Sequence, residues 1–278
     1  MTLTLAATPL GNPGDASLRL KEAIASAEVI AAEDSRRFHR LAADLGITFT
    51  ARVISFFDGN ETVRTEEVLA LLQSGKKVLV VSDAGMPTIS DPGFRLTRDA
   101  IAIGIEVIVI PGPSAPTMAL ALSGLATDRF TFEGFLPRSS GARLAHLETL
   151  RFEERTMVLF EAPHRITDSL KDAAQIFGSD RQAAICREMT KTYEETVRGS
   201  LQELILWSQS KEILGEITIV LAGVPAGTAE KTAEEIVVRV REYESAGMDR
   251  KDAISTVAKE CELPKKVVYA AVVDASKS

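Results

Sequence analysis

Short apolar runs alternate with amphipathic stretches along the first part of the chain. Leu3–Ala7, Val29–Ala32, Arg52–Phe56, Val78–Ser82 and Val107–Ile110 have the length and character of strands. Between them, Leu18–Ser26, Ser35–Leu45, Glu61–Ser74 and Phe94–Ile103 have helical spacing. Asp15 or Ser17 could cap the first helix, and Gly46, Gly75 and Gly104 stop the other three. Strand and helix in alternation predict a mostly parallel sheet covered by helices. A second block begins near Ser114. There Phe130–Glu133, Met157–Phe160, Ala183–Arg187 and Ile217–Leu221 read as strands, Arg165–Phe177 as a helix, and Lys191–Arg198 as a further extended segment. No fixed-period repeat is present.

The tail changes character. Val224-Pro225-Ala226-Gly227 reads as a linker, followed by helix candidates at Ala233–Ser245, Arg250–Glu260 and Lys265–Val273. Ala253, Ile254, Val257 and Ala258 make one apolar stripe. The spacing is helix-turn-helix-like and fits a packing appendage as well as an RNA-contacting one. The expected organisation is an N-terminal α/β domain over residues 1–114, a second over 115–224, and a C-terminal helical region over 225–278.

At 278 residues, 45% hydrophobic and 26% charged, the balance is that of a globular protein large enough for two domains. No window approaches the ~20 apolar residues of a membrane span. Met1-Thr2-Leu3-Thr4-Leu5 lacks the basic region and long apolar core of a signal peptide, so a cytoplasmic location is expected. Cys186 and Cys261 stand far apart, and His39, His146 and His164 form no HxxxH pair. No disulfide framework and no dedicated metal site are expected. The net charge of −7 opposes nucleic-acid binding unless the basic residues gather on one surface.

The informative residues follow the strands, where open α/β sheets collect ligands. Thr8-Pro9-Leu10-Gly11-Asn12-Pro13-Gly14-Asp15 pairs glycines that permit close approach with prolines that stiffen the path, yet it is neither GxGxxG nor a P-loop. Ala32-Glu33-Asp34-Ser35-Arg36-Arg37 sets two carboxylates before two arginines. Asp34 or Ser35 is either a helix cap or part of a site. Ser82 through Gly93 is a twelve-residue, acid-lined loop, longer than the 2–6 or so residues a plain connection takes, and so reads as a ligand site. Pro111-Gly112-Pro113-Ser114-Ala115 leaves room for a flat ligand, with Ser114 a candidate cap.

These loops, in this order, resemble the tetrapyrrole methylase superfamily, and more closely its ribosomal branch, the small-subunit rRNA methyltransferase I family. The branch matches are Pro9-Leu10-Gly11-Asn12, Ala32-Glu33-Asp34, Asn60-Glu61, Ser82-Asp83-Ala84-Gly85 through Ser90-Asp91-Pro92-Gly93, and Pro111-Gly112-Pro113. They continue with Glu133-Gly134-Phe135-Leu136-Pro137, Phe160-Glu161-Ala162-Pro163-His164-Arg165, Arg187-Glu188-Met189-Thr190-Lys191 and Gly215-Glu216. The resemblance covers roughly residues 3–223. It implies two α/β domains with S-adenosylmethionine held in the cleft between them. The implied reaction is methylation of the ribose 2′-hydroxyl of a decoding-centre cytidine in 16S rRNA of the small ribosomal subunit, by a homodimer.

The implied cofactor contacts are Pro9, Asp83, Ala84, Gly85, Pro87, Ile89, Ser90, Pro111, Ser114, Ala115, Phe160, Glu161, Gly215 and Glu216. Family members often carry histidines in the loop that here reads Ser55-Phe56-Phe57-Asp58-Gly59-Asn60-Glu61, so a histidine base from that loop is excluded for this chain.

Methyl transfer needs alignment of oxygen, methyl and sulfur, and exclusion of water. A base to activate the hydroxyl is worth roughly 10²–10⁴-fold, and Asp34, Glu188 and Lys191 are the candidates. Lys191 could act as a base only if neutral, or stabilise an alkoxide as a cation. RNA contacts are expected from Arg36, Asn60, Arg138, His164, Arg165 and Arg187, with Arg37, Arg40 and Arg143 as further phosphate ligands. The competing functions are methylation of a small molecule such as a tetrapyrrole precursor, favoured less by the Ala-Pro-His-Arg segment and the tail, and a non-enzymatic RNA-binding module, which would not need the Asp83–Gly93 loop.

Overall fold

In this computed structural model, which describes residues 2–225, 233–261 and 263–275, the first apolar run becomes strand β1 (Thr2–Ala6) within a five-stranded sheet. Its companions are β2 (Val29–Ala32), β3 (Arg52–Ser55), β4 (Val78–Val81) and β5 (Glu106–Ile110). The order is β3-β2-β4-β1-β5 and every pairing is parallel.

Helices α1 (Leu18–Ser26), α2 (Ser35–Asp44), α3 (Glu61–Gln73) and α4 (Phe94–Ala102) cover the sheet. Alternate strand residues feed opposite cores. Leu3, Leu5, Val29, Ala31, Val78 and Val80 pack against Val68, Leu72, Leu96 and Ala100. Ile30, Ala32, Leu79 and Val81 pack against Leu20, Ile24, Phe38 and Ala42. Because β2 and β4 are buried on both faces, their sequence is a continuous apolar run instead of an alternation. Of the two candidate caps for α1, Ser17 does the work, its hydroxyl accepting from the Leu20 amide at 3.0 Å.

The second lobe contains α5 (Ala115–Ser123), β6 (Phe130–Phe135), α6 (Ser140–Thr149), β7 (Thr156–Glu161), α7 (Ile166–Phe177), β8 (Gln182–Arg187), β9 (Glu195–Ser200), α8 (Leu201–Gln209) and β10 (Ile217–Leu221). Its five-stranded sheet runs β6-β7-β10-β8-β9. Here most pairings are antiparallel. Only β6 and β7 pair in parallel, while β10 runs against both β7 and β8, and β9 against β8. The polar edge strand β9 is only half-buried, so its sequence carries little periodic signal.

The tail folds into α9 (Ala233–Ser245), α10 (Arg250–Glu260) and α11 (Lys265–Asp274). These helices share their own core, including Ile236, Val240, Ala253, Val257, Val268 and Val272. Ala226 and Gly227 of the expected linker lie outside the described residues. Among the described residues no helix is long and apolar enough to cross a membrane.

Candidate active site

Parallel strands β1, β2, β4 and β5 end on one rim of the first sheet, which gathers the four singled-out loops there. They are tied together by backbone and carboxylate bonds. The Thr8 and Gly85 backbones exchange hydrogen bonds at 2.9 and 3.1 Å, and the Thr8 hydroxyl donates to the Ser82 carbonyl at 3.2 Å. The Ala7 amide donates to the Ile110 carbonyl at 3.1 Å. Asp83 joins the acidic loops. Its Oδ1 accepts from the Asp34 amide, its own amide donates to Glu33 Oε2, both at 3.0 Å, and Arg37 pairs with its Oδ2 at 3.2 Å.

Between this rim and the second lobe lies a cleft of about 390 Å³, within the range of about 300–1,000 Å³ usual for small-molecule sites. The first lobe contributes Leu10, Glu33, Arg37, Asp83, Ala84, Ser90 and Asp91. The second contributes Ala115 at the start of α5, Phe135 and Phe160, and the Glu161-Ala162-Pro163 and Gly215-Glu216-Ile217-Thr218 segments, with Met189 between them. Antiparallel β10 presents its amino end at the rim where β7 and β8 present their carboxyl ends. That is why Gly215 through Thr218 reach the cleft. Phe160 is held edge-on by Phe132 and Phe135, with ring centroids 4.9 and 5.4 Å apart.

The cleft is electrostatically lopsided. Burial pushes the Glu33 and Asp83 carboxyls above their ordinary range. Burial raises Asp91 furthest, to about 7, with the charges of Glu33, Asp83 and Asp58 adding to it against a hydrogen bond from Ser82. Asp34, by contrast, caps α2. Its Oδ1 accepts from the Arg36 amide at 2.8 Å, and the Arg36 guanidinium bonds its Oδ2 at 3.0 Å. These bonds lower its pKa to about 2.

Glu188 and Lys191 sit at the cleft edge in a closed network. Lys191 Nζ donates to Glu188 Oε1 and Glu216 Oε2, each at 2.9 Å, and Glu188 Oε1 also accepts the Glu216 amide at 2.9 Å. Burial works against the charge on both. The bonds win, holding Lys191 above its usual value and Glu188 below its own. The neutral-base reading of Lys191 is therefore disfavoured.

Two glycines admit this network. A Cβ on Gly215, whose φ is +89°, would lie 2.4 Å from Glu188 Cδ, and one on Gly11 would lie 2.2 Å from Lys191 Cγ. Beside Gly11 the Asn12 amide donates to the Thr190 hydroxyl at 3.2 Å, a direct bond between the lobes. Among the described residues, the non-glycine residues with positive φ are Thr88, Ser90, Glu188 and Thr190. All four lie in the two loops that bracket the cleft, a placement associated with function.

Of the residues expected to meet the cofactor, Asp83, Ala84, Ser90, Ala115, Phe160, Glu161, Gly215 and Glu216 line the cleft. Pro9, Gly85 and Pro87 are buried beneath the rim, while Ile89 and Pro111 are exposed. Ser114 occupies the N-cap of α5 without a side-chain bond. Glu161 is wholly buried. It accepts from the Ala162 amide at 2.7 Å, from Arg165 at 3.1 Å and from the Ser169 hydroxyl.

Several expected RNA contacts are placed elsewhere. Arg165 also donates to the Leu136 and Pro137 carbonyls. Arg187 bonds Glu195 and the Leu214 carbonyl, each at 3.1 Å. Arg143 is buried against Asp172 at 2.6 Å. The Asn60 side chain is spent on its own loop, bonding the Phe57 amide and the Ser55 carbonyl. Arg36, Arg37, Arg40, Arg138 and His164 remain solvent-facing. The cleft residues outside the singled-out loops and matched segments are Ile217 and Thr218, whose only signal was position just after Gly215-Glu216.

Residues 2–205 match the family described as Tetrapyrrole (Corrin/Porphyrin) Methylases. A "Ribosomal RNA small subunit methyltransferase I" of Mycobacterium tuberculosis is 51% identical over 256 residues, covering 92% of this chain and 88% of that protein. The chain belongs to this methyltransferase I family. Another member, from Synechocystis, is 41% identical over 96% of this chain and 95% of its own length. A third, from Thermotoga maritima, is 44% identical and covers 80% of this chain but 98% of itself.

Solved structures extend the methylase likeness at the level of fold. Diphthine synthase superposes with a TM-score of 0.62 at 19% identity, over 80% of this chain and 90% of that one. Uroporphyrin-III-C-methyltransferase from Thermus thermophilus gives 0.54 at 18%, over 83% and 97%. The two α/β sheets thus share the methylase fold.

Proposed function

We propose that this protein transfers the methyl group of S-adenosylmethionine to the ribose 2′-hydroxyl of a decoding-centre cytidine in 16S rRNA of the small ribosomal subunit. The observation that carries the reading is the inter-lobe cleft in a chain that matches rRNA small subunit methyltransferases I along most of both lengths. The residues present fit the cofactor. Leu10, Ala84, Ala115, Phe160, Met189 and Ile217 offer apolar surface for a flat base, and the Glu33–Asp83–Asp91 wall suits a cation. When bound, S-adenosylmethionine supplies a methyl group already activated by a positively charged sulfur.

The protein's own share is positioning. Loops cross-linked through Thr8, Gly85 and Asp83 hold one wall at fixed geometry, and fixed alignment of the reacting groups is a source of rate advantage for such a displacement. The Lys191–Glu188–Glu216 network fixes the opposite edge. Arg36, Arg40 and Arg138 supply exposed cations beside the rim for RNA phosphates and locally offset the acidity of the chain. A homodimer accords with the apolar Ile108 and Val109 exposed on edge strand β5.

Transfer of tritium from labelled S-adenosylmethionine to small ribosomal subunits, followed by mapping of 2′-O-methylation at nucleotide resolution, tests the proposal. Labelling of a porphyrinoid with none on the subunit would replace it with the small-molecule reading. Absence of the modified cytidine in wild-type cells would end it.

A further inference from the structure

The carboxylates around the cleft are not equivalent. Asp34 is engaged by Arg36 and caps α2. Asp83 is paired with Arg37, Glu161 with Arg165, and Glu188 and Glu216 with Lys191. A cation beside a carboxylate favours its charged form, although burial still leaves Asp83 above its ordinary value. Two remain without a cation among the described residues, Glu33 and Asp91. Glu33 accepts the Asp83 amide at 3.0 Å. Asp91 lines the cleft from the stiff end of the β4–α4 loop, between Ser90 at φ +62° and buried Pro92, with Gly93 at φ +121° closing the turn.

We infer that Asp91 is the general base that takes the proton from the methyl-accepting hydroxyl. This rests on the methyl-transfer reading above. In the step, the O–H bond breaks and its proton passes to a carboxylate oxygen of Asp91. The oxygen's electron pair forms the new bond to carbon, and the pair of the broken carbon–sulfur bond stays on sulfur. The proton leaves to solvent when products depart.

The surroundings suit the task. The groups facing Asp91 are Glu33 on the loop after β2, Asp58 on the loop after β3, and Ser82 and Asp83 on its own loop, with the Arg37 cation beyond Asp83. Three like charges and burial against one hydroxyl give a carboxyl titrating near neutrality, where a base combines availability with proton affinity.

The test uses the full-length protein in two readouts. In the first, aspartate carboxyl carbons labelled with ¹³C are titrated by NMR without cofactor. One resonance, absent from Asp91→Asn, is expected to move with a midpoint near 7, and that midpoint should fall in Glu33→Gln as a neighbouring charge is removed. In the second, single-turnover methylation of small ribosomal subunits is followed against pH. At saturating S-adenosylmethionine the wild-type rate should climb with rising pH to a plateau, and Asp91→Asn should lose roughly 10²–10⁴-fold in rate.

An Asp91→Asn rate within threefold of wild type, or an Asp91 resonance titrating near the ordinary aspartate value, overturns the assignment and leaves the methyltransferase reading intact. A wild-type protein that labels no RNA overturns both. Should Asp91→Asn fail to fold, the Glu33→Gln shift of the wild-type pH–rate profile decides instead.

Discussion

Adding one methyl group at Gly215 should dismantle one edge of the cleft. The new Cβ of Gly215→Ala would stand 2.4 Å from Cγ and Cδ of Glu188 and 2.5 Å from its Oε1. Comfortable carbon contacts begin near 3.5 Å, so the Glu188 side chain must move by about 1 Å or more. That motion breaks the bonds it accepts from Lys191 and from the Glu216 amide. Hydrogen bonds to a charged group are worth about 1.5–3 kcal/mol, and a left-handed alanine adds about 1–2 kcal/mol.

Gly178→Ala is the matched control. It has φ +91° but nothing within 4 Å of the added Cβ, so it bears the backbone cost alone. Isothermal titration should show Gly215→Ala binding S-adenosylmethionine at least tenfold more weakly, about 1.4 kcal/mol, with Gly178→Ala unchanged. Equal affinities for the two variants would refute the claim that the Glu188–Lys191–Glu216 network shapes the cofactor site.

Three other outcomes are expected. Arg143→Met strands the partly buried Asp172 carboxylate and should cost about 3 kcal/mol in denaturant unfolding, with Arg143→Met/Asp172→Leu recovering most of it; equal losses in the two variants would show that the residues are not coupled. Asp91 has its folded pKa raised from 3.8 to about 7, so its contribution is fully favourable below pH ~4 and is lost as pH rises through 7. Asp91→Asn should therefore gain about 2 kcal/mol over wild type at pH 8, after discounting for partial solvent screening, and nothing at pH 4; parallel stability curves would contradict this. Finally, a chain ending at Pro225 should fold and bind S-adenosylmethionine with near-native affinity, because α9–α11 close their own core and the Thermotoga relative lacks a match for a fifth of this chain. A melting temperature lowered by more than about 10 °C would tie the tail to the stability of the lobes.

What could be read beforehand follows a physical line. Strands β2 and β4 were legible because burial on both faces leaves an apolar run, β1 because its buried leucines alternate with threonines, and the loops after β1 and β4 because length and proline content exceeded a connector's needs. The direction of β10 was not legible, since an isolated strand looks the same in either orientation. Strand β9, polar and at a sheet edge, gave only a vague extended segment. The arginines were the weakest point. Arg143, Arg165 and Arg187 each found an acidic partner, Asp172, Glu161 and Glu195, at least four positions away in the chain. Nothing in a linear sequence tells a guanidinium satisfied from within from one left for RNA. The same limit hid the difference between Asp34, consumed as a cap, and Asp91, left without a cation.

The bonds that join Thr8 to Gly85 and Asp83 to Asp34 and Glu33 bear on the calorimetry of the site. A wall already fastened before any ligand arrives has little left to order, so the nucleoside's interaction energy is not spent on folding loops around it. The heat-capacity change on binding should then match burial of the ligand and the existing walls alone, far short of the signature of coupled folding.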